Sequence, residues 1–366
     1  TGNRLISLDA FRGFTIVLMI LVNNPGSWSY VLPPLRHASW HGCTPTDLVF
    51  PFFLFIMGVA MAFSFAKRSE GTTGRSSLYY QILKRTILLI AIGWLLALYP
   101  RFDFAHMRIP GVLPRIGLCY FFASMIILHL KPRGQALTAA LILLVYWALM
   151  VLVPFSGKLP DHWSYDSNFA KYFDSLIIKG HTWKPDFDPE GLISTLPAIV
   201  QTMLGYFTGM WLRSKATDME KTVGMFMAAN LSLVLGLFWS YWMPINKQLW
   251  TGSYVFYTVG IALHFLAISY WLIDIKGYQK FTKLFIIFGS NAIFAYAGSS
   301  FIAKNMYVWK IPVGGGGKAG LWSIIYELFS FGLGPWIGSL IQPLLFITIW
   351  YFILRWMYNR KIFLKL

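Results

Sequence analysis

His37-Ala-Ser-Trp-His-Gly-Cys-Thr-Pro-Thr-Asp-Leu-Val-Phe-Pro-Phe-Phe-Leu-Phe-Ile-Met-Gly58 joins a polar, histidine-bearing segment directly to an apolar one. Asp47 stands at the mouth of the apolar run, and Pro51 and Gly58 punctuate its aromatics. The run predicts a membrane-spanning helix over 45–66. Groups that can move protons are costly to keep at the edge of hydrocarbon, so they mark a candidate functional site.

The rest of the chain has the same character. Of 366 residues, 57% are hydrophobic, 18% aromatic and only 12% charged, and mean hydropathy is +0.57. A soluble domain carries about 25% charged residues. The composition therefore predicts an all-α, polytopic membrane helix bundle, a single domain over 1–366. Apolar-run length gives about ten spans: 8–24, 45–66, 82–99, 111–130, 136–154, 191–212, 223–243, 251–273, 284–303 and 336–357. The apolar stretch 319–331 is too short for a span and reads as a re-entrant or interfacial helix. No small-residue cleavage site follows the opening residues, so no cleavable signal peptide is expected.

Lysine and arginine orient the bundle. With the N-terminus cytoplasmic, 19 of the 31 Lys and Arg fall on the inner side, including Arg4, Arg68, Arg75 and Lys365. Six of the remaining 12 lie in long connections, where the positive-inside rule is weak. An even number of spans then puts both termini inside and His37 and His41 outside. The largest outer loop, 155–190, carries Lys158, His162, Trp163, His181 and Trp183 and is long enough to fold over a site. It closes on Asp188-Pro-Glu-Gly191, which reads as a helix start. A stretch from Gly314 to Gly317 reads as flexible. The net charge of +17 is accounted for by cations at helix ends, and no contiguous basic domain suggests nucleic acid. Cys43 and Cys119 support neither a disulfide framework nor a metal cluster.

His37 can accept a proton from an attacking amine or hydroxyl. A lone loop histidine more often has no task, but Trp40, Thr44, Thr46 and Asp47 surround this one in sequence. His41 lies four residues on, one helical turn if a helix forms there. His37, His41 and Asp47 are possible zinc ligands, but Gly42 and Pro45 break any helix and no second cluster follows, so no metal is expected. Asn23 and Asn24 end the first span on the same side. Either can cap a helix or donate an amide N–H to an oxyanion. Asp9 and Arg12 lie at the other end of that span, three apart, as an ion pair or a ligand site.

Arg108 and Arg115 flank Ile-Pro-Gly-Val-Leu-Pro and share a face if the helix is continuous. An arginine near hydrocarbon needs a polar cavity, a carboxylate or a phosphate. Asn246, Lys247 and Trp250 precede the eighth span, where Lys247 can simply snorkel. Asn291 is a polar residue within a span and needs a partner. Signatures such as G-x-S-x-G, G-x-x-x-x-G-K and H-E-x-x-H are absent from the sequence.

Several segments carry a resemblance. Arg4-Leu-Ile-Ser-Leu-Asp-Ala-Phe-Arg-Gly13, Val22-Asn23, His37-Ala-Ser-Trp-His-Gly42 and Thr46–Gly58 resemble the heparan-α-glucosaminide N-acetyltransferase family. So do Arg108–Arg115, Asp188-Pro-Glu-Gly191, Pro244-Ile-Asn-Lys-Gln-Leu-Trp250 and Arg360–Lys365, in the same order. The resemblance implies a membrane acetyltransferase that moves an acetyl group from cytosolic acetyl-CoA to a glucosamine-type amine across the bilayer. It puts the catalytic histidine at His37 with Asn23 beside it, and implies a homodimer. The lack of a large lumenal domain resembles a bacterial, inner-membrane member. His41 stands where the animal sequences have Asn, and Gly298-Ser299-Ser300 where they have Gly-His-Glu, so the acceptor subsite is expected to differ.

The reading expected on these grounds has His37 as general base and Asp47 orienting it or the substrate. Asn23, and possible helpers Asn246 or Lys247, meet the oxyanion. Donor and acceptor contacts are expected from Arg12, the Lys84–Arg85 pair, Trp40, His41, Arg108, Arg115, Glu190 and Trp250. A covalent acetyl-His37 intermediate stays open. So do a transporter or flippase for a sugar or anionic lipid-linked group, and an O-acetyltransferase of a glycan.

Overall fold

A computed structural model describes residues 5–69, 75–155, 161–313 and 317–364. Arg4, Lys158, Lys365 and 314–316 lie outside the described residues, as do the side chains of Arg68 and Arg75.

The chain runs α1 (Ile6–Asn23), α2 (Val49–Ser69), α3 (Arg75–Leu98), α4 (Val112–His129), α5 (Pro132–Leu152), α6 (Phe169–Ile177) and α7 (Thr195–Leu212). It continues through α8 (Asp218–Trp239), α9 (Gly252–Ser269), α10 (Lys283–Ser290), α11 (Ala292–Val308), the hairpin β1 (Lys310–Val313) and β2 (Gly317–Gly320), α12 (Leu321–Leu333) and α13 (Pro335–Asn359). It is an all-α polytopic bundle. Among the described residues, eight helices are long and apolar enough to cross a bilayer, or nine if the bent pair α10–α11 counts as one span.

Three expectations are corrected here. The expected span 191–212 is α7, whose 18 residues include Gln201, Thr202 and Thr208, so it is not among those eight. Its polar residues are buried and paired within the protein. The Gln201 amide donates to the Pro51 carbonyl at 3.5 Å and accepts from the Thr258 hydroxyl at 3.4 Å. Such groups cost little when they face other helices rather than lipid. The expected span 284–303 is broken instead, with a bend of 79° at Asn291. The Asn291 amide donates to the Ile362 carbonyl at 3.0 Å and its oxygen accepts from the Leu364 N–H at 2.8 Å, so it ties down the segment after α13. The stretch 319–331 is helical from Leu321, where α12 begins; α12 is about 20 Å long by helical rise and short of a 30 Å hydrocarbon core. Gly317, expected to be flexible, pairs with Val313 in the hairpin.

Close approach between helices depends on small residues. A Cβ at Gly58 in α2 would stand 1.9 Å from the Thr202 carbonyl oxygen of α7, and one at Gly205 in α7 would stand 2.1 Å from that of Phe55. Without a hydrophobic drive between helices in lipid, such backbone contact is what packs them. Asp274, on a π-turn that extends α9, accepts from the Ile6 and Ser7 N–H groups at 3.1 Å each. It thereby satisfies orphan donors at the positive end of the α1 dipole. The other end of α1, at Asn23, is left for the site.

Candidate active site

The segment between α1 and α2 folds without a long helix. Gly42 takes φ +102°, a left-handed conformation that favours glycine, and donates its N–H to the Ile245 carbonyl at 2.7 Å. This pins the segment to the α8–α9 connection. A single 3-10 turn, Pro45–Leu48, then leads into α2. Its capping box is reciprocal: the Thr44 side chain caps the turn, and Asp47 Oδ2 accepts from the Thr44 N–H at 3.0 Å. The Ala38 N–H also donates to Oδ2, at 3.0 Å. Asp47 is 1% exposed and has its other oxygen 2.6 Å from His37 Nδ1. Lys247 Nζ reaches the same ring nitrogen at 3.0 Å and Asp47 Oδ1 at 3.3 Å.

A ring nitrogen donates or accepts, not both. With an ionised carboxylate at 2.6 Å, Nδ1 carries the hydrogen and donates it to Asp47. The lone pair is then on Nε2, and His37 lines a cavity of about 380 Å³. Asn23, Asp47, Arg108, Glu190 and Lys247 share its wall. The volume falls within the range of about 300–1,000 Å³ usual for ligand pockets. Met19, Phe50, Phe53 and Ile116 also line it. They lie one to two turns inward from Asn23, Asp47 and the start of α4, so an apolar lower half meets a polar rim.

Six of the twelve site residues expected from sequence meet in this cavity. Arg108 precedes α4 rather than lying on it, so it shares no helix face with Arg115. Its Nε and Nη2 donate to Asp188 at 2.8 and 2.6 Å, and Nη2 also donates to Glu190. Burial acts to lower the Arg108 pKa, but the two carboxylates outweigh it and hold it above the ordinary value. Asp188-Pro-Glu-Gly191 is consequently a turn and not a helix start. Its carboxylates answer the arginine, and α7 begins four residues later, at Thr195.

The other six stand elsewhere. Arg12 pairs with Asp9 at 3.0 Å, about 16 Å of helical rise from Asn23. Arg115 is 1% exposed; it donates to the Gly191 carbonyl at 3.0 Å and to Ser194, and stacks on Trp250, 5.1 Å from its ring centre. Arg115 and Trp250 thus brace the wall from behind. Trp40 donates to the Trp163 carbonyl at 2.6 Å and packs against Tyr165 and Phe187, docking the outer loop. His41 lies 3.4 Å from the Asn246 amide, and Asn246 is fully buried. Partial burial lowers the His41 pKa, with Asp161 opposing. Burial pushes the Cys43 thiol up to about 12, and nearby Asp47 adds to this.

Sequence reasoning passed over Tyr296, Trp183, Lys184 and Gln248, which also line the cavity. Tyr296 is on α11, two residues before Gly298-Ser299-Ser300, and its own residue type offered no signal. Trp183 and Lys184 lie in the outer loop, and only their aromatic and basic character offered a signal.

Residues 4–168 match a family model described as a domain of unknown function, DUF5009. The heparan-alpha-glucosaminide N-acetyltransferase of Mus musculus is 29% identical, over 85% of this chain and 56% of its own length. That of Homo sapiens is 28% identical, over 84% and 54%. The chain is a distant relative of these acetyltransferases. It spans about half the length of the curated relatives it matches, and the aligned share of the chain is a membrane bundle here.

Proposed function

We propose that this bundle is an acetyl-CoA-dependent acetyltransferase acting on the amino group of a glucosamine-type sugar, with His37 as general base. The observation that carries the reading is the His37 Nδ1–Asp47 contact of 2.6 Å, set in the wall of a cavity with an apolar lower half. Carboxylate-oriented imidazole is a proton acceptor on its other nitrogen, and relatives that bear the acetyltransferase name supply the reaction class.

The chemistry follows from the groups present. The amine nitrogen attacks the thioester carbonyl carbon, a C–N bond forms, and the carbonyl oxygen gains the negative charge. His37 Nε2 takes the proton released by the amine. The Asn23 amide, in the same wall, is the side chain proposed to donate to the oxyanion. The C–S bond then breaks, and the proton passes to the leaving sulfur. Phe50, Phe53 and Met19 suit an uncharged thioester arm, whereas Glu190, held by Arg108, suits an amino sugar at the rim. In this reading the rim faces the periplasm of a bacterial inner membrane, and the donor enters from the cytoplasm.

The test is CoA thiol release from purified protein, with and without glucosamine and other hexosamines. Release that depends on an amino sugar, with an N-acetyl product by mass spectrometry, is expected. Acetylation at a hydroxyl would move the assignment to O-acetyl transfer. Sugar counter-flow without CoA release would replace it by transport.

A further inference from the structure

We propose that Lys247 is the positioning residue that keeps His37 neutral at working pH, so that its Nε2 remains a base. The inference rests on the acetyl-transfer reading for its purpose, but on geometry for its content. Asp47 Oδ1 and Lys247 Nζ both reach one atom, His37 Nδ1, at 2.6 and 3.0 Å, and reach each other at 3.3 Å. Asp47 alone would do more than orient the ring. A carboxylate that close to imidazole favours the imidazolium, which has no lone pair left for catalysis. The ammonium beside it cancels that pull. Carboxylate and ammonium sum to zero next to a neutral ring, and to +1 next to a protonated one, which favours giving the proton up.

The charged groups facing His37 from its other neighbours make Lys247 decisive. Arg108 before α4 is matched by Asp188 and Glu190, a net negative cluster. Lys184 of the outer loop offsets it, resting 4.8 Å from the Tyr165 ring centre. Tyr296 on α11 is uncharged. Removal of Lys247 therefore leaves Asp47 unopposed at the ring. Lys247 is itself well placed for this: it is 18% exposed, and its contact is to the Nδ1 side of the ring, not to the Nε2 side where an oxyanion would form.

Diethylpyrocarbonate acylates neutral imidazole and not imidazolium, so it reads the state of His37 without any acetyl donor. The rate of His37 labelling is followed by peptide mass spectrometry between pH 5 and 9 for the wild type, Lys247→Met and Lys247→Arg. The other six histidines serve as internal standards. The expected result is a midpoint about one pH unit higher in Lys247→Met, a tenfold loss of neutral His37 below it, with Lys247→Arg close to wild type. In an acetyl-transfer assay the acid limb of kcat/KM moves in the same direction. An unchanged or lowered midpoint in Lys247→Met overturns the proposal. If Lys247→Met fails to fold, Lys247→Gln carries the same prediction. Absence of acetyl transfer by the wild type would remove the proposed reaction, while the labelling curves would still decide the role of Lys247.

Discussion

His37 and Arg108 sit in the same wall and answer to different physics. His37 is 44% exposed, and its side-chain contacts, to Asp47 and Lys247, are both at Nδ1. Its loss should barely disturb the fold and should remove a general base, a factor of about 10²–10⁴ in turnover. His37→Ala is thus expected to bind acetyl-CoA normally by calorimetry and to release CoA thiol about 100-fold more slowly or worse. Near-normal release would exclude the residue from the chemistry. Arg108 is a structural pivot. Asp188 is fully buried at the side chain and has the guanidinium as its counter-charge. Breaking such a pair by removing one partner costs about 3–5 kcal/mol. Arg108→Ala should lower the unfolding midpoint strongly, and Arg108→Ala with Asp188→Ala should restore part of the loss. Additive losses in that double-mutant cycle would show that the pair is not the reason Arg108 matters.

Elements carry two further predictions. Gly58 and Gly205 let α2 and α7 touch backbone to backbone, and α2 holds Asp47 at its entrance. Gly58→Leu should separate the helices and abolish activity without any contact to substrate, whereas the same change at Gly332, which meets nothing within 4 Å, should be tolerated. Comparable thermal stability of the two variants would refute this. The outer loop is expected to respond to pH. Burial raises the Asp174 carboxyl of α6 to about 6, against the opposing pull of the Leu192 N–H and Arg115. Its value in an undocked loop is about 3.9. The docked loop binds more protons between those values, so its stability is fullest below about 4 and falls as pH rises through about 6. Two pH units correspond to about 3 kcal/mol at most. Proteolysis of 161–190 should be slower at pH 5 than at pH 7.5, and Asp174→Asn should flatten the difference. Faster cleavage at pH 5 in the wild type would reverse the sign and sink the argument.

At the scale of the molecule, the proposed reaction is vectorial. In proteoliposomes of defined orientation, acetyl-CoA on the side of Asp274 and amino sugar on the side of His37 should give product, and both on the His37 side should not. Product from the second arrangement would show that donor and acceptor share one mouth. Long apolar runs made the bundle legible from sequence, because a bilayer demands about twenty consecutive apolar residues and leaves few alternatives. The same rule counted α7 as it counted the lipid-facing spans and missed the bend at Asn291, because apolar length does not register which buried polar groups other segments will answer. His37 and Asp47 could be named from the chain since they stand ten residues apart in one motif. The sequence by itself therefore determined a helical membrane bundle and one polar mouth on it. Only tertiary structure decided that Arg108 meets Asp188 and that Lys247 and Asp47 both reach His37. Those outcomes depend on contacts between residues 80 to 210 positions apart, and hydropathy along a chain carries no information about which distant charges will meet.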